Sequence, residues 1–248
     1  MQVVQAIILG LIQGLTEFLP VSSSGHLVIA QSILGFESPG VLFESFLHAG
    51  TLLAILFFYR NTIMKLSARY LVLIGLGTIP AAFVGMLLKD HIEVLFNSTL
   101  LVGLMLIVTG FINVVIDKQT KDSSNTPSDR ESILIGFFQA LAIVPGISRS
   151  GATIFAARLR GIKKAEAAQF SFLLSVPAII GANIVQLVGH GGEVSGNFAV
   201  LIFGFVSAMI SGYLAIKLVL KYLVQSKFRY FGYYAIILGS IATILSII

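Results

Sequence analysis

Six stretches of this chain, at about 42–59, 70–88, 99–116, 169–188, 198–216 and 230–248, are almost wholly apolar. Each is roughly 18–20 residues long, which is what an α-helix needs to cross a hydrocarbon core of about 30 Å. Backbone in lipid must satisfy its own hydrogen bonds, so stretches of this kind fold as helices. Composition agrees: 56% of residues are hydrophobic, 11% are charged, and the mean hydropathy is +0.97. A soluble domain of this length would carry far more surface charge. The expected class is an all-α polytopic membrane protein. The absence of cysteine excludes disulfide and thiolate chemistry. With no tryptophan, interface anchoring falls to tyrosines such as Tyr59, Tyr70, Tyr222 and Tyr230. Met1 to Leu9 lack a positive n-region and lead into Glu17 rather than a cleavage site, so no secretory signal peptide is read there.

Two regions break the pattern. Residues 2–36 and 131–162 each consist of an apolar run, a Pro/Ser/Gly break and a second short apolar run. Their arms are marginal for spanning, so each reads as a re-entrant helix pair whose break lines a polar cavity. The two breaks are related. Val21-Ser22-Ser23-Ser24-Gly25-His26 and Ile147-Ser148-Arg149-Ser150-Gly151-Ala152 lie 126 positions apart. The same offset pairs Gly10 with Gly136, Gln13 with Gln139 and Leu15 with Leu141. Of the 16 Lys and Arg residues, 14 fall in four segments: Arg60 to Arg69, Lys118 to Arg130, Arg158 to Lys164 and Lys217 to Arg229. If all four face the cytoplasm, as positive charge does, the first re-entrant pair opens outward and the second inward. The expected fold is a single membrane domain over 1–248 with about six transmembrane helices and two re-entrant pairs. It is an inverted-topology repeat of halves 1–116 and 131–248, joined by a mobile, polar cytoplasmic linker at 117–130. The net charge of +5 sits in these loops and forms no basic face with interleaved aromatics, so nucleic acid is not an expected partner.

The copies differ at ionisable positions: Glu17 faces Ile143, Arg149 faces Ser23, and His26 faces Ala152. An ionisable residue inside a membrane segment is costly to keep and marks a candidate site. Gln13 and Glu17 are four apart and share a helix face. Pro20 ends the first arm, and the Ser22-Ser23-Ser24 run supplies hydroxyls and an N-cap to the second. Helix N-termini favour anions, and arginine grips phosphate through two parallel donors. Ser148, Ser150, Arg149 and the two half-helix N-termini therefore form a phosphate cradle. His26 follows the serine turn within reach of Ser22 or Ser23, a nucleophile–base arrangement. Glu17 would orient the imidazole or help hold a divalent ion. Glu44 and His48 are i,i+4 and are expected to face the same cavity, while His91, Glu93, His190 and Glu193 are expected in solvated outer loops. Small residues that merely let helices pack would explain the serines but not Arg149 beside them.

These motifs resemble the undecaprenyl-diphosphatase family, also called bacitracin-resistance proteins. The resemblance rests on Gln13-Gly14-Leu15-Thr16-Glu17, the run Phe18 to His26, and Pro145-Gly146-Ile147-Ser148-Arg149-Ser150-Gly151-Ala152-Thr153. Phe43-Glu44 and Phe170 to Pro177 match as well. The resemblance implies a membrane phosphatase that converts undecaprenyl diphosphate to undecaprenyl phosphate and inorganic phosphate. Such an enzyme recycles the carrier lipid of peptidoglycan synthesis and confers bacitracin resistance. It further implies the cytoplasmic membrane, a site open to the outer side, and a divalent cation, Mg2+ with Ca2+ as the alternative. The expected catalytic set is Glu17, Ser23, His26 and Arg149, with Ser23 attacking and His26 as base, or with water activated by His26 attacking directly. Gln13, Ser22, Ser24, Ser148, Ser150 and Thr153 would bind substrate. Gln13 stands at a position that offers no second carboxylate, so Glu17 and substrate oxygens must hold the metal. The expected partners are the polyprenyl diphosphate and membrane lipids, with a homodimer as an open alternative to a monomer. The rival reading is a transporter or flippase for polyprenyl phosphates, which inverted repeats with broken helices fit equally well. A purely structural scaffold would leave the buried charges unexplained.

Overall fold

A computed structural model of the chain describes residues 2–36, 41–96, 98–119, 122–189 and 198–247. The helices in order are α1 (Gln2–Phe18), α2 (Ser23–Leu34), α3 (Val41–Phe58), α4 (Arg60–Ile63), α5 (Ala68–Leu87) and α6 (Lys89–Phe96). They continue with α7 (Thr99–Ile116), α8 (Asp129–Leu141), α9 (Arg149–Leu159), α10 (Lys164–Gly189), α11 (Phe198–Val224) and α12 (Phe228–Leu245). No β-strand occurs among the described residues. Helices α5, α7, α10, α11 and α12 contain windows long and apolar enough to cross a membrane, with mean hydropathies from 1.3 to 2.5. The stretch at 42–59 is α3, whose described apolar part, Phe43–Phe58, is shorter than these five. Side chains such as Leu71, Ile79, Phe83 and Met86 on α5, and Phe111 on α7, remain exposed, as expected of faces solvated by lipid. The chain is thus an all-α polytopic membrane protein.

Serines start many of the helices. Ser67 and Ser98 accept from Tyr70 N and Leu101 N at 3.2 Å each. Ser128 and Glu131 form a reciprocal capping box, which starts α8 at Asp129. The residues at 89–96, expected as loop, instead make the short helix α6, which carries His91. His190 and Glu193 lie outside the described residues.

The two broken regions each form a helix pair, α1–α2 and α8–α9, and each packs against a longer helix distant in sequence. Helix α1 lies along α11, and α8 lies along α5. Glycines permit both contacts. A Cβ on Gly10 would sit 2.3 Å from Gly204 O, and one on Gly136 would sit 2.5 Å from Gly77 O. Backbones that touch in this way associate through van der Waals contact, the main force between helices in lipid. Helices α7 and α12 pair by the same device, with Gly110 against Gly232 and Gly103 against Gly239.

The linker departs from expectation. Its described part is fastened to the α9–α10 turn: Ser123 N donates to Gly161 O (2.8 Å), and Lys163 N donates to Ser124 O (3.0 Å). Arg158 explains why. It reads in sequence as one more cytoplasmic charge, yet its side chain is 1% exposed. It donates to Asp122, to Gln119 O (2.5 Å) and to Ile162 O (2.6 Å). A guanidinium this buried needs partners for its donors, and the linker supplies a carbonyl and a carboxylate beside the Ile162 carbonyl.

Candidate active site

Helix α7 brings the two breaks together. Asn113 donates to Pro20 O in the first break. One turn earlier, Thr109 donates to Gly146 O in the second break (2.8 Å) and accepts from Ser148 N (2.9 Å). Ser150 Oγ reaches directly across to Leu19 O (3.3 Å). Each of these contacts satisfies a backbone group freed by an interrupted helix, which membrane burial makes obligatory. The two serine turns then start α2 and α9 in parallel fashion. Ser22 caps α2 by accepting from Gly25 N (3.4 Å), and Ser148 caps α9 by accepting from Gly151 N (3.2 Å). In both turns the cap hydroxyl lies 3.2 Å from the serine two residues on, Ser24 or Ser150. The pairs correspond at the offset of 126 that relates the two sequences.

At the junction lies one buried carboxylate with three donors. Glu17 Oε1 accepts from Arg149 Nη2. Glu17 Oε2 accepts from Ser23 Oγ at 2.6 Å and from Gln13 Nε2 at 3.0 Å. Gln13 Nε2 also lies 3.0 Å from His48 Nδ1, which is itself 3.8 Å from Glu17 Oε2. Glu17, Ser23, Arg149 and Gln13 therefore converge, drawn from both breaks. Two polar atoms at this centre are buried and without a protein partner: Arg149 Nη1 and Gln13 Oε1. One is a cationic donor and the other a neutral oxygen acceptor. Buried groups of this kind call for a ligand or water to complete them.

Other expected residues take different places. His26 does not meet Ser23. Its Nδ1 lies 2.7 Å from Ser22 O and its Nε2 lies 2.8 Å from Tyr234 Oη. Thr153 is fully buried, donates to Arg149 O (2.8 Å) and pairs with Ser171 Oγ (2.6 Å), so it supports α9 from behind. Ser22 and Ser148 serve as caps and are buried, while Ser23, Ser24 and Arg149 retain partial exposure. Glu44 accepts from Gln31 (3.3 Å) rather than sharing a partner with His48. His91 borders an apolar cavity formed with Val84, Leu88, Ile143 and Val144. Sequence reasoning missed Thr109, Asn113 and Tyr234, and gave no role to Ser171, which lies in the matching run Phe170 to Pro177. Thr109 and Asn113 were detectable as hydrogen-bonding side chains one turn apart in an apolar span; nothing local marks Tyr234.

No cluster of three His, Asp or Glu residues able to hold a metal exists among the described residues. The donors present are hard oxygens: the Glu17 carboxylate, Gln13 Oε1 and Ser23 Oγ. Gln13 Oε1 is the one with no partner. This set fits a hard divalent cation only if a ligand's own oxygens supply most of its coordination.

The sequence profile of a family described as bacitracin resistance protein BacA matches residues 6–241. A Methanobrevibacter smithii protein named undecaprenyl-diphosphatase is 43% identical, over 97% of this chain and 96% of its own. One of the same name from Carboxydothermus hydrogenoformans is 43% identical over 95% of this chain and 94% of its own. An undecaprenyl-diphosphatase 4 from Bacillus thuringiensis is 41% identical over 95% and 94%.

Proposed function

The chain belongs to the bacitracin resistance protein BacA family, and from that membership and its site we infer that it is a membrane undecaprenyl-diphosphatase. It hydrolyses undecaprenyl diphosphate to undecaprenyl phosphate and inorganic phosphate. This returns the carrier lipid to peptidoglycan synthesis and underlies resistance to bacitracin. The observation that carries the reading is the hydrogen bond of Ser23 Oγ to Glu17 Oε2, with Arg149 on the same carboxylate. A transporter or flippase needs donors for an anion but has no use for a hydroxyl whose proton is directed into a carboxylate.

The steps follow from those contacts. Arg149 Nη1 and the free N–H groups at the starts of α2 and α9 grip the terminal phosphate. Ser23 Oγ attacks its phosphorus and passes its proton to Glu17. The bond to the bridging oxygen breaks, and undecaprenyl phosphate leaves. Water then attacks the phosphoserine and gives up a proton as Glu17 returns the first one to Ser23 Oγ, which releases inorganic phosphate and restores both Ser23 and the Glu17 carboxylate. The base assignment thus moves from His26 to Glu17, because both imidazole nitrogens are engaged elsewhere. A divalent cation, Mg2+ or Ca2+, would be held by Glu17, Gln13 Oε1 and phosphate oxygens, and would neutralise charge on the leaving group. The four basic segments support a site that opens to the outer face of the cytoplasmic membrane.

The deciding assay is phosphate release from undecaprenyl diphosphate by purified protein in detergent, with and without EDTA. Acid quench within one turnover should trap a stoichiometric phosphoserine at Ser23. A Ser23→Ala variant that turns over at the wild-type rate would overturn the covalent route. A wild type that releases no phosphate under Mg2+ or Ca2+ would overturn the enzyme reading.

A further inference from the structure

The partner of His26 comes from the far end of the chain. Tyr234 lies on α12, and its ring stacks on the imidazole with centroids 5.6 Å apart and planes 18° from parallel. Its hydroxyl is 2.8 Å from His26 Nε2. The other ring nitrogen, Nδ1, is 2.7 Å from Ser22 O. A carbonyl only accepts, so Nδ1 carries the proton. In the neutral ring Nε2 is then bare, and the Tyr234 hydroxyl donates to it. One tautomer satisfies both contacts.

The Ser22 carbonyl belongs to an unusual residue. Ser22 has φ 68° and ψ 100°, a backbone conformation that L side chains rarely adopt. Its counterpart in the second break, Ser148, has the ordinary φ −74° and ψ 118°. The copy with the strained cap is the copy with the histidine; where His26 would recur stands Ala152. Ser22 O also accepts from His26 N at 3.3 Å, so residue 26 holds that carbonyl through both its backbone and its ring. Strain of this kind persists where surrounding contacts over-determine it. The next residue is Ser23, whose hydroxyl the turn directs onto Glu17.

We propose that Tyr234 is a positioning residue for the phosphatase reaction: it braces His26, and through His26 the Ser22 turn that aims Ser23 at Glu17. The proposal rests on the hydrolase reading given above. Tyr234 can do this because α12 is fixed in register. Gly232 and Gly239 flank it, and a Cβ on either would meet α7 backbone, Gly110 O at 2.7 Å or Gly103 O at 2.6 Å. The same α7 carries Asn113, which holds Pro20 O on the other side of the turn. The first break is thereby clamped between α7 and α12.

The test uses full-length protein in detergent. Tyr234→Phe keeps the ring stack and removes only the hydroxyl. Loss of one such hydrogen bond should lower kcat about tenfold and leave KM nearly unchanged. Magic-angle-spinning NMR of protein labelled with ring-15N histidine, with His26 assigned by comparison with His26→Asn, reads the tautomer directly. Wild type should show a single Nδ1–H form and Tyr234→Phe a mixture. A fall in kcat together with a mixed tautomer supports the brace. An unchanged kcat, or a lower kcat with the tautomer intact, overturns it. Thermal unfolding of Tyr234→Phe within a few degrees of wild type keeps a folding defect out of the comparison. If wild type itself releases no phosphate, the hydrolase reading fails, and with it the positioning role. The NMR comparison then still decides whether Tyr234 fixes the ring.

Discussion

Removing Arg149 while keeping its bulk, as Arg149→Met, should separate what the Glu17–Arg149 pair does for the fold from what it does for the reaction. The side chains are 5% and 16% exposed, so Glu17 is the more deeply buried charge. Breaking a buried pair by deleting one partner costs about 3–5 kcal/mol, because the remaining charge is left uncompensated. Glu17 keeps two donors after the substitution, Ser23 at 2.6 Å and Gln13 at 3.0 Å. The expected loss is therefore at the low end, about 3 kcal/mol. At about 2–4 °C per kcal/mol for a chain of this size, melting should fall by about 6–12 °C. Glu17→Gln leaves an amide oxygen that still accepts from Arg149, and the partly exposed guanidinium reaches water, so about 1–2 kcal/mol is expected. The double variant contains no uncompensated charge and should melt close to Glu17→Gln alone, a coupling of about 3 kcal/mol. Activity should behave otherwise: all three variants should lose phosphate release, and the double should recover none. Fluorescence-detected size-exclusion after heating reads the first quantity, and phosphate release in detergent reads the second. Additive losses in melting temperature would refute the pairing, and a double variant that regains turnover would refute the chemical roles given to the two residues.

Two further outcomes follow from packing and from the linker. Gly10→Val and Gly136→Val should each lower stability by about 1–3 kcal/mol, since a Cβ would sit 2.3 or 2.5 Å from backbone oxygens of α11 or α5; melting at the wild-type temperature would show that these helices do not touch. Arg158→Met should release the linker, whose described residues are fastened through that guanidinium. Limited proteolysis should then cut within 117–128 about tenfold faster than in wild type, and an unchanged cleavage rate would show that the backbone contacts to Gly161 and Ser124 suffice.

The spans were legible because hydropathy over about 20 residues reports lipid contact directly. Both breaks were legible as Pro/Ser/Gly interruptions in runs too short to span. Glu17 and Arg149 were legible because a charge in such a run has few bland explanations. What failed was partner choice. Ser23 and His26 are three apart on α2, and that spacing predicted contact, yet the imidazole turns to Tyr234, which lies 208 positions away. Tyr234 reads in sequence as one more interface aromatic. Arg158 failed in the opposite sense. It stands in a basic loop cluster, where charge normally means solvent, and only the folded linker reveals that its guanidinium is enclosed. Spacing fixes which side chains share a helix face; it does not say which distant helix arrives at that face.

The two breaks make the same cap, the same paired hydroxyls and the same close glycine contact with an opposite helix, so in the proposed mechanism their differences carry the chemistry. Phosphoryl transfer needs one nucleophile and one cationic grip, aimed from different directions at one phosphorus. A site built from two identical copies would present two serines or two arginines to Glu17. Here position 23 is Ser, its counterpart 149 is Arg, and both reach the one carboxylate. The asymmetry extends to the backbone. The Ser22 turn is strained and braced by His26, whereas the Ser148 turn is relaxed and faces Ala152. In the proposed mechanism the strain accompanies the attacking copy, where an error in the direction of Ser23 Oγ would be paid in rate. The gripping copy would tolerate an ordinary turn, since a long guanidinium side chain can adjust to a phosphate.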